Sequence, residues 1–284
     1  MTDASLSRFM GGPATGVDPS PRTALNVPGR NRVLDALPEH ERDHLLSLMV
    51  RRSFNAREVV LEAGQPIHHA YFPLHGAASL LVYMQDGEVA EVNTIGNEGM
   101  LGLPLLHAVD RSHTTGIFHT PAEAFVMTAA DLQSALTRGG ALAQTLQRYA
   151  HGFINQTCQL AACNRLHHVE QRFCRWLLMT HDRVGRDSLA LTQEFLAVML
   201  GVRRATVNIV ARDLQRSGAI RYRRGAITVL DRRALEARSC ECYAIIRNYY
   251  EDALGAAPPD DPPARPRRAA ARGGHAYEVR NPAC

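Results

Sequence analysis

No lysine occurs anywhere in this chain, so all 32 of its basic residues are arginine. Such a bias is as readily a matter of composition as of function and carries no argument about activity. Long hydrophobic runs are missing too, which excludes a membrane-spanning helix. The first thirty residues are rich in Gly, Pro, Ser and Thr and lack the apolar core of a secretion signal, so a cytoplasmic protein with no membrane partner is expected. Six cysteines stand at 158, 163, 174, 240, 242 and 284, yet no Cys-x-x-Cys pair has a second pair at zinc-finger distance. Free thiols are therefore expected, with no metal and no cofactor. Cys240 and Cys242 are close enough for redox chemistry or half a metal site, but on one helix their thiols would point about 200° apart. Catalytic signatures are absent as well: there is no Gly-rich phosphate loop, no His-Glu-x-x-His and no nucleophile elbow, so nothing argues for an enzyme.

What is present is a chain of 284 residues, 45% hydrophobic, long enough for two domains with real cores. Its net charge is only +4, but Arg203, Arg204, Arg212, Arg216, Arg221, Arg223, Arg224, Arg232 and Arg233 crowd one short region. An anionic partner would sit there.

The same region reads as a helix-turn-helix. Thr192 can cap a first helix whose Leu196, Ala197 and Leu200 fall at helical spacing, and Gly201 supplies a sharp turn. On the second helix Val207, Val210, Ala211 and Leu214 make one apolar stripe, leaving Ala205, Asn208, Ile209, Arg212 and Arg216 on the opposite face. A free face bearing Asn and Arg suits a major groove. Two β-prone runs around Arg224-Gly225 follow and form a plausible wing.

Upstream, residues 31–50 predict one short helix with Pro38 near its start and Leu45, Leu46, Leu48 and Met49 on its buried face. Strand-like runs at 59–61, 70–72, 78–83, 89–92, 116–119 and 123–128, with a hairpin signal at Asp86-Gly87, predict a small antiparallel roll or barrel. Residues 139–166 predict one long helix carrying Leu142, Leu146, Tyr149, Phe153 and Leu160; part of this stripe is expected to meet a second copy of the chain. An amphipathic helix over 169–180 leads into the helix-turn-helix. The fold class is α+β. The expected divisions are a disordered segment (1–30), the roll (31–138), the long helix (139–166), the winged unit (167–254) and a Pro- and Arg-rich disordered tail (255–284).

A roll, a long helix and a winged helix-turn-helix in that order resemble the Crp/Fnr family of bacterial transcription regulators over about residues 31 to 235. Leu191-Thr192-Gln193-Glu194, Gly201 to Val207, the wing ending at Val229, Gly99 to Leu103 and Arg111-Ser112 carry the resemblance. It implies a homodimer that reads a two-fold symmetric operator in double-stranded DNA, a signal sensed in a cyclic-nucleotide-binding-like roll, and RNA polymerase as a further partner. Residue by residue, Arg204 matches the family's main base-reading arginine, and Gln193 and Thr206 match contacts to the DNA backbone. Arg203 stands where many relatives carry a capping Ser, which leaves about 1 kcal/mol of capping unmade. Ala205 replaces a common acidic residue and Ile209 a basic one; both could press on thymine methyl groups, so the family's best-known operator is not assumed.

In nucleotide-binding relatives a carboxylate holds the ribose and an Arg-Ser pair holds the cyclic phosphate. Here Met100 occupies the carboxylate position, Arg111-Ser112 matches the pair, and Thr157 and Cys158 match two hydroxyl residues placed against the base. Loss of a charged hydrogen bond costs about 1.5–3 kcal/mol, roughly ten- to a hundredfold in affinity, so cyclic AMP is not the expected signal. An iron-sulfur version of the family is rejected because the first cysteine is Cys158. Haem would need an axial pair, but His68, His69, His75, His107, His113 and His119 show no diagnostic spacing and are read as surface residues. The competing class is a small-molecule receptor whose helix-turn-helix serves protein assembly.

Overall fold

β-branched and aromatic residues are dense between Val50 and Thr128, and there they build two antiparallel sheets. The computed structural model describes residues 29–255; the two segments expected to be disordered lie outside the described residues except for Gly29, Arg30 and Gly255. One sheet orders β1 (Val50–Phe54), β7 (Ala122–Thr128) and β3 (His69–His75) as β1-β7-β3. The other orders β2 (Glu58–Leu61), β6 (Thr115–Phe118), β4 (Ala78–Tyr83) and β5 (Val89–Ile95) as β2-β6-β4-β5. Between them lie Phe54, Phe72, Leu81, Leu101, Ile117 and Phe118, all buried. The Asp86-Gly87 turn joins β4 to β5: Gly87 takes φ 90°, a backbone state that side chains disfavour, and Asp86 accepts from the Glu88 N–H at 3.0 Å.

Residues 31–50 are not one helix. They form α1 (Arg32–Asp35) and α2 (Glu39–Ser47), separated where Pro38 takes the cap position before α2, and the chain is already in β1 at Val50. β1 is an edge strand paired only to β7, and its Arg51-Arg52-Ser53 sequence hides the alternation a strand normally shows. After β7 comes α3 (Ala129–Thr137), capped by Thr128, whose hydroxyl accepts from the Asp131 N–H at 3.1 Å.

α4 (Ala141–Leu166) is the long helix, 26 residues or about 39 Å. Its expected stripe turns inward: Leu142, Leu146, Tyr149 and Leu160 are buried in the chain's own core. Tyr149 stacks on Tyr250 of α9 (Cys242–Leu254) with ring centroids 6.0 Å apart, so a helix at the end of the described chain covers the face expected to meet a partner. A different row of α4, His151, Ile154, Cys158, Ala161 and Arg165, remains exposed at spacings of three and four.

α5 (Val169–Val184) then carries Phe173, Trp176 and Leu177 into the core and stops at Gly185. β8 (Ser188–Leu189), α6 (Gln193–Leu200), α7 (Arg204–Arg216), β9 (Ile220–Arg223), β10 (Ala226–Val229) and α8 (Arg232–Arg238) complete the winged unit, with its strands ordered β8-β10-β9. This unit rests on the roll of the same chain. Trp176 Nε1 donates to Glu91 of β5 at 2.7 Å, and Arg183 pairs with buried Glu98 at 2.6 Å.

Candidate nucleic-acid interface and sensor site

Two short helices and a turn position the basic face. Thr192 caps α6 by accepting from the Phe195 N–H at 3.1 Å, and Gly201 turns the chain at φ 59°, where a Cβ would be strained. α7 packs Val207, Val210, Ala211 and Leu214 inward. Arg203, Arg204, Ala205, Ile209, Arg212 and Arg216 are therefore exposed, and Thr206 and Asn208 are half-buried. Ile209 is 68% exposed and puts an apolar side chain among these arginines. Arg203 occupies the cap position of α7 without a side-chain bond to the helix, as expected. Gln193 opens α6 half-buried, next to exposed Thr192.

The wing is held to this unit by Tyr222, whose hydroxyl donates to the Leu191 carbonyl at 2.7 Å. Its tip, Arg224-Gly225, takes positive φ at both residues, the geometry of a tight hairpin turn. Arg221, Arg223 and Arg224 are exposed around it. The recognition face and the wing thus present two arginine-rich edges, suited to phosphate on either side of a groove.

In the roll, the residues matched to a nucleotide site, Cys158 apart, are each engaged by neighbours of their own. Met100 is fully buried, and its carbonyl accepts from the Tyr149 hydroxyl at 3.2 Å. A Cβ on the preceding Gly99 would lie 2.3 Å from that hydroxyl, so the long helix is pressed tightly against this segment. Arg111 is exposed and donates to the Gly64 carbonyl at 2.8 Å; Ser112 is buried and donates to the Thr114 carbonyl at 2.6 Å. Thr157 donates to the Phe153 carbonyl at 2.9 Å and accepts from Asn93 at 2.7 Å, while Cys158 is exposed on α4. Among the described residues no hydrogen bond links any of these five to another.

The histidines divide. His68, His107 and His113 are exposed as expected, but His119 is buried where roll and winged unit meet. Its ring lies 5.2 Å from Trp176 and 5.7 Å from Phe195, and its Nδ1 is 2.7 Å from the Ser79 hydroxyl. Burial pushes this imidazole down to about 3, so it is neutral at any ordinary pH. Ser79 also donates to Glu91 at 2.5 Å, and burial pushes that carboxyl up to about 7. Sequence reading missed this Ser79, Glu91, His119 and Trp176 cluster, because it brings the β4–β5 hairpin, the residue after β6 and α5 together across up to 97 residues of chain.

Two family models match the chain: a cyclic nucleotide-binding domain over residues 51–138 and a Crp-like helix-turn-helix domain over 171–238. No curated protein sequence matches significantly. Among solved structures, a protein described as a transcriptional regulator of the Crp/Fnr family from Eubacterium rectale is 15% identical, with a TM-score of 0.57, covering 72% of this chain and 96% of that one. FixK2 from Bradyrhizobium japonicum is 15% identical, with a TM-score of 0.58, covering 68% and 98%. The cyclic-di-GMP-responsive global regulator CLP of Xanthomonas campestris is 18% identical, with a TM-score of 0.51, covering 68% and 99%. At such identities the likeness speaks for the fold; the two models add the identity of the roll and of the DNA-binding unit. With both modules in order around a long helix, the chain belongs to the Crp/Fnr family of transcription regulators.

Proposed function

We propose that this regulator acts as a homodimer without catalytic activity, reading a two-fold symmetric operator with Arg204 as its principal base reader and responding to a signal other than cyclic AMP. The observation that carries this reading is the outer face of α7. Arg204 stands at the start of the recognition helix, exposed and with no side-chain hydrogen bond among the described residues. Its guanidinium fork can bond guanine O6 and N7 together. Ala205 and Ile209 supply apolar surface for thymine methyl groups, and Thr192, Gln193, Arg203, Thr206, Asn208 and Arg212 surround them for phosphate and base edges. RNA polymerase is a partner of the DNA-bound dimer in this reading.

The second protomer belongs on the exposed row of α4. Ile154 is 57% exposed, and Cys158 and Ala161 continue its row at spacings suited to a two-helix seam. Phe153, an obvious sequence choice for that seam, is half-buried against Tyr149 in the chain's own core. Ile154→Glu is therefore the clean test. It should give a folded monomer that protects no two-half-site footprint, whereas the native dimer protects half-sites about 34 Å apart. A variant that stays dimeric by light scattering would place the seam elsewhere.

Met100, Tyr149, Gly99 and Ser112 argue against cyclic AMP, since the ribose position is apolar, filled and lacking a carboxylate. Arg111 remains at the surface and is the residue best suited to an anionic signal.

A further inference from the structure

The end of α4 and the start of α9 bring four metal-binding side chains together. Cys163 and His167 stand four residues apart, on one face where α4 ends, and Cys242 is the first residue of α9. Cys240 lies outside any helix, between α8 and α9. The expected opposition of the Cys240 and Cys242 thiols therefore fails, because it assumed that both were helical. The ligand atoms of all four residues lie within 4.8 Å of one another. Cys163 Sγ is 3.6 Å from Cys240 Sγ, and Cys242 Sγ is 3.5 Å from His167 Nδ1.

These separations suit one small ion. With metal–sulfur bonds near 2.3 Å, a tetrahedron has sulfur–sulfur edges of about 3.8 Å. A multi-iron cluster, whose cysteines sit on different irons around an inorganic core, needs a wider cradle. The surroundings point the same way. Glu241 Oε1 lies 3.2 Å from His167 Nε2, which leaves Nδ1 for a metal, in the carboxylate–histidine arrangement that orients ligating imidazoles. Arg175 is buried, forms no salt bridge among the described residues and has an Nε with no hydrogen-bond partner, and its charge acts on Cys163. Three thiolates, a neutral imidazole and a dication sum to −1, the counter-charge this guanidinium lacks.

We propose that Cys163, His167, Cys240 and Cys242 form a closed site for one zinc ion. All three cysteines are buried and four protein ligands complete the tetrahedron, so the site is structural. Binding displaces the three thiol protons to solvent. The ion would tie the last turn of α4 to α9 across the point where the chain leaves α4 for α5, and so fix the winged unit against the long helix. The spacing Cys-x-x-x-His followed by Cys-x-Cys is the sequence signal for this site, and it is legible only once the 72 intervening residues are folded.

The test is metal analysis of the full chain, purified under a thiol reductant, followed by titration of the metal-free protein with Zn2+ and Co2+. One ion per chain is expected, with the visible bands of tetrahedral thiolate-bound Co2+. Cys163→Ser and Cys240→Ser should each weaken binding more than tenfold, Glu241→Gln about tenfold, and Cys174→Ser not at all. His167→Cys should keep the ion where His167→Ala loosens it, which separates ligation from damage to the fold. A folded, fully reduced chain that takes up neither ion, equal uptake by Cys240→Ser, or isolation as a Cys163–Cys240 disulfide that binds no metal after reduction would overturn the proposal.

Discussion

The outer face of α7 and the Gly99–Gly102 segment of the roll are the two places where family resemblance expects a ligand, and they are built in opposite ways. On α7, Arg204, Asn208, Arg212 and Arg216 make no side-chain hydrogen bond among the described residues, and Ile209 stands 68% exposed. In the roll, Met100 is fully buried, Ser112 is bonded to Thr114 and Tyr149 has closed over Gly99. A surface meant for an external partner leaves its groups unsatisfied. In the proposed reading the roll has filled the nucleotide position with the chain's own atoms, because an empty apolar cavity forfeits packing.

The largest effect that would break this contrast is Met100→Glu. If the roll is a filled core, the new carboxylate has no partner and the protein loses about 3 kcal/mol or more, read from the denaturant midpoint. If the variant instead folds normally and gains affinity for cyclic AMP, the nucleotide site is intact apart from one side chain. Next in size is Arg204→Ala, which should cost about 1–3 kcal/mol on the specific site and relax preference at one base pair of each half-site. An equal loss on random DNA would reduce Arg204 to a phosphate contact. Smallest is Arg203→Ser. A hydroxyl at the α7 cap should raise stability by about 1 kcal/mol, while the lost charge lowers the salt slope of DNA binding by about 1.

Much of the contrast was legible in the residues, and for a reason. The α7 stripe of Val207, Val210, Ala211 and Leu214, the Thr192 cap and the Gly201 turn are local features, so period and cap chemistry reveal them without tertiary knowledge. The loss of the carboxylate at Met100 was equally plain. What stayed hidden depends on contacts between distant segments. β1 carries two arginines and declares itself only through pairing with β7. The inward face of α4 could be distinguished from a dimer seam only after α9 was found stacked on Tyr149 through Tyr250. His119 looks like any surface histidine until Trp176 and Phe195 close around it.

The central claim joins the two regions: a recognition surface ready for DNA, and a roll without a cyclic AMP site. Fluorescence anisotropy of a labelled operator fragment, titrated with the protein in the absence and in the presence of cyclic AMP at constant salt, tests both at once. The account predicts tight, sequence-specific binding that is unchanged by the nucleotide. Binding that appears only with cyclic AMP, at micromolar nucleotide, would contradict it.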